Sequence, residues 1–223
     1  MTRTGQLSRI ALTLIFVARI AMAQEPILAE QAAAARAHSA STAVAPTVMG
    51  HTVAGDYHNE ILGFQIRHIP GWTSMSRGTM NVDEALGREA LGLQAGLNQA
   101  VNRVFGMHDE EGNSVMVTMV PAPGGTNVDL AAMKTELSKM LKTQIPTAEI
   151  GEEPILLGDS AHVFTGVRAT YTVANREIYQ SLQMVFLNGY GVSIATTATS
   201  ADQLHSLLTQ LRGSLQWTQS SSQ

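Results

Sequence analysis

The folded part opens at Tyr57, and over residues 64–69 the chain alternates, with Phe64, Ile66 and His68 set against Gln65, Arg67 and Ile69 before Pro70-Gly71. That period of two predicts a half-buried strand ending in a turn, with Trp72 behind it as a core anchor. The period then changes. Val82, Leu86, Ala90, Leu93, Leu97, Val101 and Val104 recur every three or four residues, which predicts one apolar helical face over 82–104, opened by Asn81 as N-cap with Glu84 three residues later. Gly87, Gly92 and Gly96 each cost about 1 kcal/mol relative to alanine, so this helix is expected to be short or broken.

Residues 114–120 form a strongly β-prone run, entered through Asp109-Glu110-Glu111-Gly112-Asn113 and left at Pro121. A second helix is expected where Leu130, Met133, Leu137, Met140 and Leu141 share a face, with Asn127 or Asp129 near the cap and Pro146 past the end. Four β segments follow at 148–157, 162–173, 177–187 and 190–198. Asn188-Gly189 joins the last two as a two-residue turn that needs positive φ at both positions. A last helix, capped by Ser200, carries Leu204, Leu207, Leu208, Leu211 and Leu215 at helical period and is followed by Trp217. Consecutive strands without crossover helices imply an antiparallel sheet with helices before and after it. The expected fold class is therefore α+β, an α/β/α sandwich around a mainly antiparallel sheet.

Composition adds a compartment and removes some chemistry. Arg3 and Arg9 flank an uncharged start, an apolar run covers residues 10–17, and Ala21-Met22-Ala23 supplies small residues at a cleavage site. This reads as a secretory signal peptide over residues 1–23, with Gln24 as the mature N-terminus. Arg19 leaves the apolar run well short of the roughly 20 residues a spanning helix needs, so no stable membrane insertion is expected after cleavage. Residues 24–55, rich in Ala, Ser and Thr, are expected to act as a flexible linker, 56–218 as the folded domain and 219–223 as a disordered tail. Export implies a periplasmic or secreted destination.

Removing the signal takes Arg3, Arg9 and Arg19 from the 14 basic residues, leaving 11 against 18 acidic and a formal charge of −7. Such a chain has no electrostatic reason to bind nucleic acid. The absence of cysteine excludes a thiol nucleophile, thiolate metal sites, disulfides and an N-terminal lipid-anchoring cysteine.

The stretch from Tyr57 to Trp72, with Tyr57-x-Asn59, Gly63-Phe64 and Pro70-Gly71-Trp72, resembles the opening of PsbP-like and DcrB-like domains. Ala169-Thr170-Tyr171, the hairpin at Asn175, Tyr179-Gln180-Ser181, Gly189-Tyr190-Gly191 and the closing Leu215-Gln216-Trp217 resemble later parts of the same group, so the likeness covers 57–217. Residues 80–102 look like an insertion relative to its compact members. The resemblance implies an exported α/β/α sandwich in an accessory role, with an unknown protein or envelope component as partner. It supplies no catalytic set, no cofactor and no metal ligands, because the shared positions are turn glycines, prolines and core aromatics.

Two chemical readings stand beside the accessory one. Gly158-Asp159-Ser160 with Asp202-x-x-His205 is similar to the blocks of GDSL or SGNH serine esterases, in which serine attacks an ester and histidine is the base. Ser160 precedes a strand rather than a helix, which makes a plain hairpin turn the simpler account. The other reading is a metal or small-ligand carrier, since the chain has seven histidines and eleven methionines. His51 and His58 bracket the domain's start, and Met107-His108 precedes three acids, yet no pair of histidines has helical i, i+4 or His-x-His spacing. Met116, Met119, Met133, Met140 and Met184 fall at core-facing positions. The acidic turn at 109–113 lacks the alternating ligands of a calcium loop, and Gly124-Gly125-Thr126 before the second helix is an anion cradle without a lysine.

Overall fold

The computed structural model describes residues 49–80, 102–122, 129–173 and 175–217. The signal, most of the linker, Gly124-Gly125-Thr126 and positions 81–101 of the first expected helix lie outside them. Within the described residues no helix is long and apolar enough to cross a membrane.

The fold is α+β, built on a seven-stranded antiparallel sheet. Its strands are β4 (Thr73–Ser74), β5 (Asn102–His108), β6 (Ser114–Pro121), β7 (Glu149–Glu152), β8 (Thr165–Val173), β9 (Arg176–Leu187) and β10 (Tyr190–Ala198), in the order β4-β5-β6-β10-β9-β8-β7. The β9–β10 turn is the one that Asn188-Gly189 predicts, with φ of 48° and 83°. Helix α1 (Leu130–Gln144) covers one face. Its N-cap is Asp129, whose carboxylate accepts the N–H groups of Ala131 and Ala132 at 2.9 and 3.1 Å. Met133, Leu137, Met140 and Leu141 pack there against Val167, Ala169, Leu182 and Met184.

Helix α2 (Ala201–Ser214), capped by Ser200, lies on the other face. Beside it is a second sheet, absent from the sequence expectation, whose strands β1 (His51–Val53), β2 (Asp56–Asn59), β3 (Phe64–Ile66) and β11 (Leu215–Trp217) run in that order. Leu204, Leu207, Leu208 and Leu211 share a core with Tyr57, Phe64, Ile66, Val117 and Ile194.

Four expectations are corrected. The strand opening at Tyr57 is two strands, because Asn59 turns the chain: its side-chain Oδ1 accepts from Leu62 N–H at 2.9 Å and its carbonyl from Gly63 N–H at 2.9 Å. The alternation then stops at Ile66, leaving Arg67 and His68 exposed and Ile69 buried. Residues 102–104, expected to end a helix, begin β5: Asn102 and Arg103 pair with Met119 and Thr118 of β6, and Val104 falls at a register shift before Phe105↔Val117. Leu215 leaves the helix to pair with Ile66. Finally, 49–55 belongs to the fold: Tyr57 Oη donates to Met49 O at 3.1 Å and β1 pairs with β2.

Candidate functional site

The segment containing Gly158-Asp159-Ser160 joins β7 to β8, and buried polar side chains pin it to the sheet. Glu153, its side chain fully buried, receives Arg168 Nη2 at 2.9 Å and Nε at 3.3 Å, and its Oε1 also accepts from Ile155 N–H at 3.0 Å. Gln183, fully buried on β9, donates from Nε2 to Ile155 O at 2.8 Å and accepts Leu157 N–H at 3.0 Å. Gly158 is required by space, as a Cβ there would lie 1.9 Å from His162 O.

Asp159 Oδ1 accepts from the N–H groups of Ala161 and His162 at 2.9 and 2.7 Å and meets His162 Nδ1 at 2.9 Å. The His162 ring lies flat on Trp217, centroids 3.9 Å apart and 10° between planes. Among the described residues Ser160 is exposed and makes no side-chain hydrogen bond, while His205 and Asp202 face solvent on α2. The structure does not bring Ser160 and His205 together as a hydrogen-bonded pair. The motif residues hold a turn, and the carboxylate of Asp159 serves His162 and the loop backbone.

Partial desolvation raises the Asp159 pKa, but hydrogen bonds from the His162 backbone, the His162 ring and Ala161 outweigh it, so the carboxyl sits below its ordinary range. A depressed folded value means that its contribution is present above the ordinary carboxylate pKa and fades as pH falls through the folded one. In a Trp72→Phe variant, which leaves Trp217 as the sole tryptophan, fluorescence is expected to change below about pH 4 as Asp159 releases His162, and Asp159→Asn should remove that transition.

A concave feature lies elsewhere, at the outer end of the sheet. Strand β4 pairs with only His108 and Met107 of β5, and Met75 N–H adds one bond to Gly106 O at 2.7 Å. Beside the rest of β5 opens a groove of about 340 Å³, floored by Val104 and Phe105 and walled by Tyr57, Met75 and Met80. Volumes of roughly 300 Å³ and above are typical of small-ligand clefts. Arg77, Ser74 and His51 stand at its exposed rim.

Local chemistry fixes these walls. Ser76 starts a helical turn, its Oγ accepting Thr79 N–H at 3.1 Å and its carbonyl Met80 N–H at 3.0 Å, which places Met80 in the groove. Tyr57 stacks on Phe105 with centroids 4.6 Å apart, and its hydroxyl accepts from Asn59 Nδ2 at 2.8 Å. Burial pushes the Tyr57 hydroxyl well above the ordinary tyrosine range, so it stays protonated. Residue 50 must be glycine, since a Cβ would lie 2.4 Å from His58 O and 2.8 Å from the Tyr57 ring.

Two of the histidines do converge. His51 and His58 are cross-strand partners in β1 and β2, their rings stacked with centroids 5.5 Å apart and 18° between planes. Glu60 Oε1 is 3.6 Å from His51 Nδ1. Among the described residues no group of three or more His, Asp or Glu side chains is arranged to hold a metal ion. The five methionines read as gap fillers are all buried in the two cores. At 109–113, Asp109 accepts the N–H groups of Glu111 and Asn113 and the Asn113 side chain, which occupies its carboxylate with the hairpin itself.

No family model and no curated protein matches the sequence. Among solved structures the chain is similar to the solution structure of cyanobacterial PsbP (CyanoP) from Synechocystis sp. PCC 6803, at 11% identity and a TM-score of 0.46, over 80% of this chain and 99% of that one. It is also similar to LpqN, involved in cell envelope biogenesis of Mycobacterium tuberculosis, at 9% identity and a TM-score of 0.42, over 70% of this chain and 83% of that one. Both likenesses concern the arrangement of the fold.

Proposed function

We propose that this chain is an exported accessory module that binds without catalysis, and that its binding surface is the groove beside β5. The observation that carries the reading is the distribution of chemistry in that groove. Its floor and walls are apolar, from Val104, Phe105, Met75, Met80 and the Tyr57 ring, while Arg77 supplies positive charge at the rim. That combination suits an elongated apolar molecule with an anionic end: the chain loses water contact along the floor and the head meets the guanidinium. The signal sequence at 1–23 supports delivery to an extracytoplasmic compartment, where such molecules are handled.

Calorimetric titration of the chain beginning at Gln24 with dodecanoate tests this. Saturable binding is expected, weakened roughly five- to tenfold by Arg77→Gln, which removes a charged contact at a partly hydrated rim. Ser74→Trp, a bulky change at an exposed rim position, should block it. Dodecyl maltoside, with a neutral head, should bind more weakly than dodecanoate. Absence of binding, or binding indifferent to both substitutions, contradicts the reading. Ester hydrolysis abolished by Ser160→Ala would instead favour the esterase alternative.

A further inference from the structure

We infer that His51 and His58 form a two-imidazole chelate for a divalent transition metal ion of the copper and zinc class, with Glu60 orienting one ligand. The pair shares His51 with the groove rim, but its assignment does not depend on which molecule the groove takes. Cross-strand partners in an antiparallel pair project to the same side of the ribbon, so the register His51↔His58 fixes both rings on one face whatever their rotamers. The Ala54-Gly55 turn, with φ of 52° and 94°, sets that register by joining the strands directly after Val53↔Asp56. His51 lies on an edge strand exposed throughout, and His58 is half-buried, so modest side-chain rotations can bring one nitrogen of each to a shared ion at about 2.0–2.1 Å.

The carboxylate completes the case. Glu60 Oε1 lies 3.6 Å from His51 Nδ1, one small adjustment from accepting its proton. A carboxylate in that position holds the tautomer whose Nε2 carries the lone pair, as commonly found behind metal-bound histidines. Imidazole nitrogen in a protein without thiols favours copper and zinc over the hard cations. Water or a bound molecule would fill the remaining positions. Neither His162, stacked on Trp217 and facing Asp159, nor His205, alone on the outer face of α2, offers such a pair.

The test is titration of the untagged chain from Gln24, first stripped with chelator, using Cu²⁺ alone followed by electron paramagnetic resonance, and Zn²⁺ alone followed by calorimetry. One ion per chain is expected, with two nitrogen ligands in the copper spectrum. His51→Gln, a change on an exposed edge strand, and His58→Asn should each weaken binding by roughly tenfold or more, and Glu60→Gln by a smaller factor. His205→Gln should leave affinity unchanged. Zn²⁺ in excess should raise the melting temperature of the wild type by mass action and not that of His51→Gln. The inference is overturned if the wild type takes up no ion, if both His51→Gln and His58→Asn bind as tightly as wild type, or if the loss follows His205→Gln or His162→Gln instead.

Discussion

Glu153→Ala is expected to destabilise the fold by about 3 kcal/mol or more, a magnitude characteristic of removing one partner from a buried ion pair. The carboxylate side chain is fully buried, and the Arg168 side chain is 24% exposed, so the orphaned guanidinium regains part of its hydration and the loss falls at the lower end of that class. The loss is more than electrostatic, because Ile155 N–H also gives up its acceptor. Thermal unfolding should show a drop in midpoint of several degrees, at roughly 2–4 °C per kcal/mol for a chain of this size. The double variant Glu153→Met, Arg168→Met should recover much of the loss, since replacing both charges with apolar side chains of similar volume is often nearly neutral. If Glu153→Ala melts like the wild type, the pair does not anchor the β7–β8 connection.

Leu208→Ala is the second large effect, expected at about 2–5 kcal/mol from lost burial and the residual cavity. Leu208 is fully buried in the core between α2 and the large sheet. His205 lies three residues earlier on the same helix and faces solvent, so His205→Ala should stay within about 0.5 kcal/mol. Chemical denaturation of the two variants side by side separates the architectural role of this helix from any role of its histidine. Equal losses would place His205 in the core and overturn the assignment of the helix faces.

The long elements were legible because each carries a regular period. Met133, Leu137, Met140 and Leu141 mark the buried face of α1, Leu204 through Leu211 that of α2, and Asn188-Gly189 fixes the β9–β10 hairpin with a residue pair suited to positive φ. The small sheet was not legible. Its strands, three or four residues long, are too short to show a period, and β11 pairs with β3 across about 150 positions of sequence, as in Trp217↔Phe64. Leu215 continues the leucine spacing of α2, so period alone cannot tell that it has become a strand residue. The β1–β2 turn was equally hidden, for Ala54 takes a positive φ that alanine does not advertise.

The site shows the same division. Sequence placed His51 and His58 near the domain's start, but only the hairpin register brings their rings together. The Gly158-Asp159-Ser160 block was visible, whereas Gln183 and the Glu153–Arg168 pair that hold its loop come from residues 15 to 28 positions apart and carry no local motif. The groove had no sequence signal at all, since it arises where β4 stops pairing and leaves part of β5 beside the small sheet.

The most direct test of the binding reading is a residue-resolved NMR titration of the chain from Gln24 with dodecanoate. Shift changes concentrated at Met49, His51, Ser74, Met75, Arg77, Val104 and Phe105 are predicted, with Ser160 and His205 unmoved. Changes centred on Ser160 and His205, or none along β5 at saturating ligand, would contradict it.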